Sequence, residues 1–148
     1  MLRVSAETWV AVEPQRAWDL YADVERSVDW VPFAEEIIYL RGEPGTGQEY
    51  RERTRLLGVT GEQTWRIVDW DPPRRQVQFS TDLGMDSELV IEIVPEGAGT
   101  RIRQGTRLRS RAPRPLRWFH DAIFALVSRY GLSQAVAGAR ERLERDTS

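Results

Sequence analysis

SELVIEIVPEGAGTRIRQGTRLR, residues 87–109, reads as two strands joined by a tight turn. In its second half Ile102, Gln104, Thr106 and Leu108 alternate with Arg101, Arg103, Arg107 and Arg109. A period of two marks a strand with one dry and one wet face, and the arginines must take the wet one. In the first half Leu89, Ile91 and Ile93 take the dry face. Glu88 and Glu92 fall on the wet face, where they can pair across strands with the arginines. The connector Glu96-Gly97-Ala98-Gly99 is short and turn-forming, so the two strands pair antiparallel.

Working outward, the same pattern extends toward the N-terminus through Gln48–Leu57, Gly61–Asp71 and Arg75–Thr81, joined at Gly58, Pro72-Pro73 and Asp82–Gly84. Before them, Ser5–Val12 alternates as a strand, and Pro14 opens a helix carrying Ala17, Trp18, Tyr21 and Ala22 through Val24. Val28–Phe33 forms a second short helix or turn stopped by Pro32, and Glu35–Arg41 a strand closed by Gly42, Pro44, Gly45 and Gly47. On the other side, Pro113 and Pro115 precede a long helix to about Arg145, with only Asp146–Ser148 as a loose tail. Leu116, Phe119, Ile123, Leu126, Val127 and Tyr130 form one apolar stripe of that helix. Leu132, Val136, Ala139 and Leu143 form another, out of phase, which predicts a kink or break at Gly131. Strand, two short helices, six strands and a long helix make an α+β, helix-grip fold: a curved antiparallel sheet of about seven strands around the C-terminal helix. Residues 1–148 read as one such domain, with a cavity between the concave sheet face and the helix.

Composition narrows the chemistry. All 21 basic residues are arginine, which excludes a Schiff-base or P-loop lysine. The absence of cysteine excludes thiolate ligands and thiol nucleophiles, and one histidine, His120, is too few for a histidine metal site, so no metal and no cofactor is expected. The net charge of −2 gives no general attraction to nucleic acid. Seven arginines lie between Arg101 and Arg117 with no acid among them; they read as a solvated face neutralised by acids on neighbouring strands. Gly42–Gly47 joins two strands and lacks the helix a phosphate cradle needs, and Asp82–Asp86 lacks calcium-loop spacing. No run is long enough for an integral membrane span, and Glu7, Glu13 and Asp19 occupy the place of a secretory signal, so a cytoplasmic location is expected.

Val10-Ala11-Val12-Glu13-Pro14-Gln15-Arg16-Ala17-Trp18 with Asp23, then Trp30 and Pro32, Thr64 to Arg75 with its Asp-Pro-Pro turn, and Gly99-Thr100-Arg101 carry a resemblance. Over nearly its whole length the chain resembles the polyketide cyclase/dehydrase and lipid-transport group of the START-like (SRPBCC, helix-grip) superfamily. The resemblance implies a hydrophobic cavity for an apolar small-molecule ligand, aromatic, polyketide-like or lipid-like. It leaves open whether such a protein carries its ligand or acts on it as a cyclase/dehydrase-like lyase or isomerase.

Strand parity places Tyr50, Glu52, Thr54 and Leu56 in the cavity and Arg51, Arg53 and Arg55 outside. For Gly61–Asp71 two parities are open; matching the Asp-Pro turn to the family puts Glu62, Thr64, Arg66, Val68 and Trp70 inside and Trp65 outside. Glu52 and Arg66, with His120 as a proton carrier, then form the candidate acid–base set for a carbonyl-bearing ligand, and Glu62 joins them in the cavity. The plainer reading is an internal ion pair that only sets polarity. Tyr50, Thr54, Thr64, Gln104 and Thr106 are candidate polar contacts; Trp30, Phe33, Val68, Leu89, Ile91, Phe119, Ile123 and Val127 are candidate apolar ones. A third reading makes the convex Trp9/Trp65 surface a protein-interaction face or homodimer contact.

Overall fold

The computed structural model describes residues 2–147. The chain runs β1 (Leu2–Val10), α1 (Pro14–Ala22), a 3₁₀ turn (Val24–Arg26), α2 (Ser27–Trp30), β2 (Ala34–Arg41), β3 (Glu49–Leu56), β4 (Val59–Asp71), β5 (Arg75–Ser80), β6 (Met85–Glu96), β7 (Gly99–Ser110) and α3 (Arg114–Thr147). The seven strands form one antiparallel sheet in the order β1-β7-β6-β5-β4-β3-β2, so the first strand closes against the last. Two short helices after β1 and a long C-terminal helix against the sheet complete a helix-grip fold.

The packed core sits at one end. Val10, Val12, Ala17, Trp18, Ile93, Ile102, Ala139 and Leu143 are buried together there. Each of the larger apolar side chains among them contributes about 1.5–3 kcal/mol on burial. Trp18 meets Trp70 edge to face, centroids 4.9 Å apart, and Thr100 donates its hydroxyl to Val12 O at 2.7 Å. Proline at the start of α1 needs no amide partner there, and the Ala17–Trp18–Tyr21 face turns inward. Gly138 lets α3 lie on α2: a Cβ at this position would stand 2.1 Å from Trp30 O.

The arginine faces of the strands are convex, as alternation requires. Arg103 pairs with Glu7 at 3.2 Å, Arg101 with Glu96 at 2.7 Å, Arg107 with Glu88 at 3.9 Å and Arg111 with Asp86 at 2.5 Å.

Three expectations need correction. The helix does not break at Gly131; α3 is continuous, and a Cβ at Gly131 would stand at contact distance from Leu56 and Phe33. Its C-terminal end takes in Asp146, so the expected tail is helical there, while Ser148 lies outside the described residues. The parity of β4 is also different. Trp65 and Ile67 are buried and Arg66 is exposed, as Gln63, Trp65 and Ile67 inward requires. The ladder with β5 then skips a residue between Ile67 and Asp69. This bulge at Val68 reverses the alternation, so that Trp70 also turns inward, onto Trp18.

Candidate functional site

Beyond the packed core, the concave face and α3 diverge around a cavity of about 530 Å³. Its floor is built from alternate residues of five strands: Tyr50, Glu52, Thr54 and Leu56 of β3, Gln63 and Trp65 of β4, Gln78 of β5, Met85, Ser87, Leu89 and Ile91 of β6, and Gln104, Thr106 and Leu108 of β7. Ile123, Phe124, Val127, Ser128 and Gly131 of α3 form the roof. Tyr21, Ser27, Trp30 and Phe33 close the end nearest the core. The lining is mostly apolar, with no arginine, lysine or histidine among the described residues of its wall.

Several polar groups in this wall are partnered with one another, whereas the buried Ser27 Oγ and Trp30 Nε1 have no hydrogen-bond partner among the described residues. Tyr50 donates its hydroxyl to Gln78 Oε1, and Gln78 Nε2 donates to Gln76 Oε1 at 2.9 Å. Gln104 Nε2 donates to the Tyr21 hydroxyl at 2.6 Å. Burial raises both phenol pKa values well above their ordinary value; the neighbouring Glu52 adds to the rise at Tyr50, while the bonds to Gln104 and Gln78 act against it. Both are therefore neutral hydrogen-bonding groups across the physiological range.

Glu52 is the one carboxyl among the described residues of the wall. Its Oε1 accepts the Trp65 indole N–H at 3.1 Å, and no arginine among the described residues lines the cavity beside it. Burial pushes its carboxyl up to about 7, against the lowering effect of the Trp65 bond. A carboxyl that titrates near neutrality inside an apolar cavity can donate a proton in one state and accept one in the other.

The structure brings Glu52, Tyr50, Thr54, Gln104, Thr106, Trp30, Phe33, Leu89, Ile91, Ile123 and Val127 together around the cavity, as read from the sequence. It does not place Arg66, Glu62, Thr64 or Val68 there. Arg66 is on the convex face across from Glu49, and Val68 is 49% exposed at the bulge. Glu62 pairs outside with Arg51 at 3.2 Å and Arg53 at 3.6 Å, and the Thr64 hydroxyl accepts Arg51 Nη1 at 2.7 Å. The expected Glu52–Arg66 pair is therefore not formed. His120 is set into the junction of β7 and α3, bonded to the Ser110 hydroxyl with its ring 4.6 Å from that of Phe124, and Phe119 is exposed. Neither lines the cavity. The convex tryptophan pair also dissolves. Trp65 is inside, and Trp9 lies over Gly99 with its indole N–H given to Glu96 O at 3.0 Å.

Trp65 and Gln63 are the site residues that the sequence reading put on the wrong face. The signal was there: Arg51 and Arg53 are outside on β3, and their register partners Thr64 and Glu62 must share that side.

Comparison with known proteins agrees with this architecture. The family described as "Polyketide cyclase / dehydrase and lipid transport" matches residues 1–144. A solved structure from Thermus thermophilus superposes with a TM-score of 0.84 at 19% identity, covering 99% of this chain and 100% of that one. The Zhui aromatase/cyclase from Streptomyces sp. R1128 gives 0.83 at 19%, covering 99% and 96%. A START superfamily protein from Mycobacterium smegmatis gives 0.75 at 16%, covering 97% of each. An uncharacterised protein of Mycobacterium tuberculosis is 24% identical over 114 residues, 76% of this chain and 80% of its own length.

Proposed function

The chain belongs to the polyketide cyclase/dehydrase and lipid transport family, and on that premise we propose that it holds an apolar small molecule, aromatic, polyketide-like or lipid-like, between its sheet and α3. The observation that carries this reading is the cavity of about 530 Å³, walled by apolar side chains with Glu52 as the one carboxyl among its described lining residues. Its volume lies within the range of small-molecule sites, roughly 300–1,000 Å³. Affinity comes from apolar burial, with Glu52, Thr54 and Thr106 orienting the ligand's polar atoms. The test is a native mass spectrum of the protein purified gently from its own host. Added mass released on denaturation, and lost when Leu89→Trp fills the cavity, supports the reading. A bare chain that also takes up no apolar fluorophore overturns it.

The state of Glu52 favours a second reading, an enzyme of cyclase/aromatase type in the same cavity. The carboxyl would protonate a ligand carbonyl or take the adjacent carbon-bound proton. Glu52→Gln separates the readings. With a poly-β-ketone thioester as substrate, turnover lost while the ligand is still held argues for chemistry. Turnover unchanged in Glu52→Gln removes the acid–base role, and Arg66→Ala, on the convex face, serves as the neutral control.

A further inference from the structure

The first apolar stripe of α3 does not pack on the sheet. Leu116, Phe119 and Leu126 are 60%, 59% and 67% exposed, and Ile123 and Tyr130 are 44% and 43% exposed. The stripe borders the cavity mouth, which Ile123 lines together with Leu57 of the β3–β4 turn, Val59 at the start of β4 and Leu83 of the β5–β6 turn. These turn residues are exposed too. Leu57 and Leu83 have φ of 52° and 64°, each followed by a glycine at positive φ. Leu57-Gly58 is a two-residue hairpin turn, which favours asparagine at its first position, and a left-handed leucine at 57 or 83 costs about 1 kcal/mol or more. In this chain Leu57 and Leu83 line the cavity yet remain 61% and 48% exposed, so much of their apolar surface faces outward.

The charge beside this surface is one-sided. Between residues 109 and 130 stand Arg109, Arg111, Arg114, Arg117 and Arg129 against a single acid, Asp121. Arg111 is held by Asp86, but Arg109, Arg114 and Arg117 are exposed and form no ion pair with any described residue. The expectation that acids neutralise this arginine run thus holds for Arg101, Arg103, Arg107 and Arg111 and not for Arg109, Arg114 and Arg117. No helix among the described residues is long and apolar enough to cross a membrane, so a stripe of this kind can lie on a lipid surface but not span one.

We propose that this end of the molecule docks on an anionic lipid surface, with the α3 stripe and the Leu57 and Leu83 turns entering the headgroup region and the arginines meeting lipid phosphates. The cavity mouth then opens toward the acyl chains. A second copy fits the surface less well, because a twofold contact sets the same unpaired arginines against each other. The docking goes beyond the cavity reading and does not depend on which ligand the cavity holds.

The test is flotation of the full chain with vesicles of phosphatidylcholine alone and of phosphatidylcholine with about one third phosphatidylglycerol. The protein is expected to float with the anionic vesicles, and salt is expected to weaken it. Arg114→Glu with Arg117→Glu should reduce binding by at least about tenfold, since each arginine near such a surface counts for roughly fivefold. Leu57→Asn is the sharper variant, because asparagine suits the turn: it should raise the melting temperature while lowering vesicle binding about tenfold. Absence of flotation, equal flotation with both compositions, or binding unchanged in both variants overturns the proposal. So does a dimer in sedimentation that Leu57→Asn converts to monomer, which would assign the face to a second copy. The native mass spectrum of the soluble protein judges the cavity reading independently of all these outcomes.

Discussion

The Trp65 indole N–H reaches Glu52 at 3.1 Å across the β3–β4 ladder, where the two residues are diagonal neighbours on the cavity face. The bond fixes one carboxyl oxygen and leaves the other available to the cavity. It also opposes, without cancelling, the upward push of burial on this acid.

A raised carboxyl pKa is a stability cost at high pH. The folded protein binds the Glu52 proton up to about pH 7, whereas the unfolded chain releases it near 4.5. Stability therefore falls as pH rises through that window, and the full cost is present above it. Glu52→Gln keeps the oxygen that accepts from Trp65 and removes the charge. It should stabilise the fold by on the order of 2 kcal/mol at about pH 8 and by little at about pH 4, read from urea unfolding at both. Equal effects at the two pH values would show that Glu52 is hydrated as in water.

Trp65→Phe removes the donor and keeps an aromatic ring. Since the Trp65 bond lowers the pKa of Glu52, its loss should move the titration above 7, as followed by carboxyl carbon shifts in NMR. A titration that moves down would mean that water replaces the indole.

An apolar anion such as 8-anilinonaphthalene-1-sulfonate should bind more tightly on the acid side, because it displaces water from around Glu52 and meets its charge. The dissociation constant should rise roughly tenfold from about pH 5.5 to about pH 8.5 and stay flat in Glu52→Gln. A rise that persists in Glu52→Gln would assign the dependence to another group.

Two glycines of α3 should respond to alanine with opposite signs. At Gly138 a Cβ meets the Trp30 carbonyl at 2.1 Å and Pro32 Cδ at 3.0 Å. Gly138→Ala must push α3 off α2 and should cost ~3 kcal/mol or more. At Gly131 the nearest atom is Leu56 Cδ2 at 3.4 Å, so Gly131→Ala should gain about 0.5–1 kcal/mol of helix propensity. Thermal unfolding of the pair decides the matter.

The fold was legible because alternation on β3, β6 and β7 is written in charged residues, arginines above all, and a charged face cannot be mistaken for a buried one. The site was half legible for a related reason. Strand β4 carries no such marker: Glu62, Gln63, Thr64 and Arg66 are all polar, and only Trp65 and Ile67 show which side is dry. Matching the Asp-Pro turn to the family gives the wrong face because a bulge inserts one residue at Val68, and nothing in Ile67-Val68-Asp69 announces it. Arg66 was drawn into the cavity by that single unit of phase, and the acid–base pair built on it went with it. The α3 stripe misled differently. Periodicity reports that a face is apolar and not what covers it.

The uneven seating of α3 makes it a cantilever. Its C-terminal half is clamped through Ala139, Leu143 and the close approach at Gly138, while the half that roofs the cavity rests on the Ser110–His120 bond and a few contacts at the mouth. Amide protons should therefore exchange slowly around Ala139 and faster toward Phe119, a gradient along one unbroken helix. Bending at the free end can admit a bulky guest while the clamped end keeps the rest of the molecule folded.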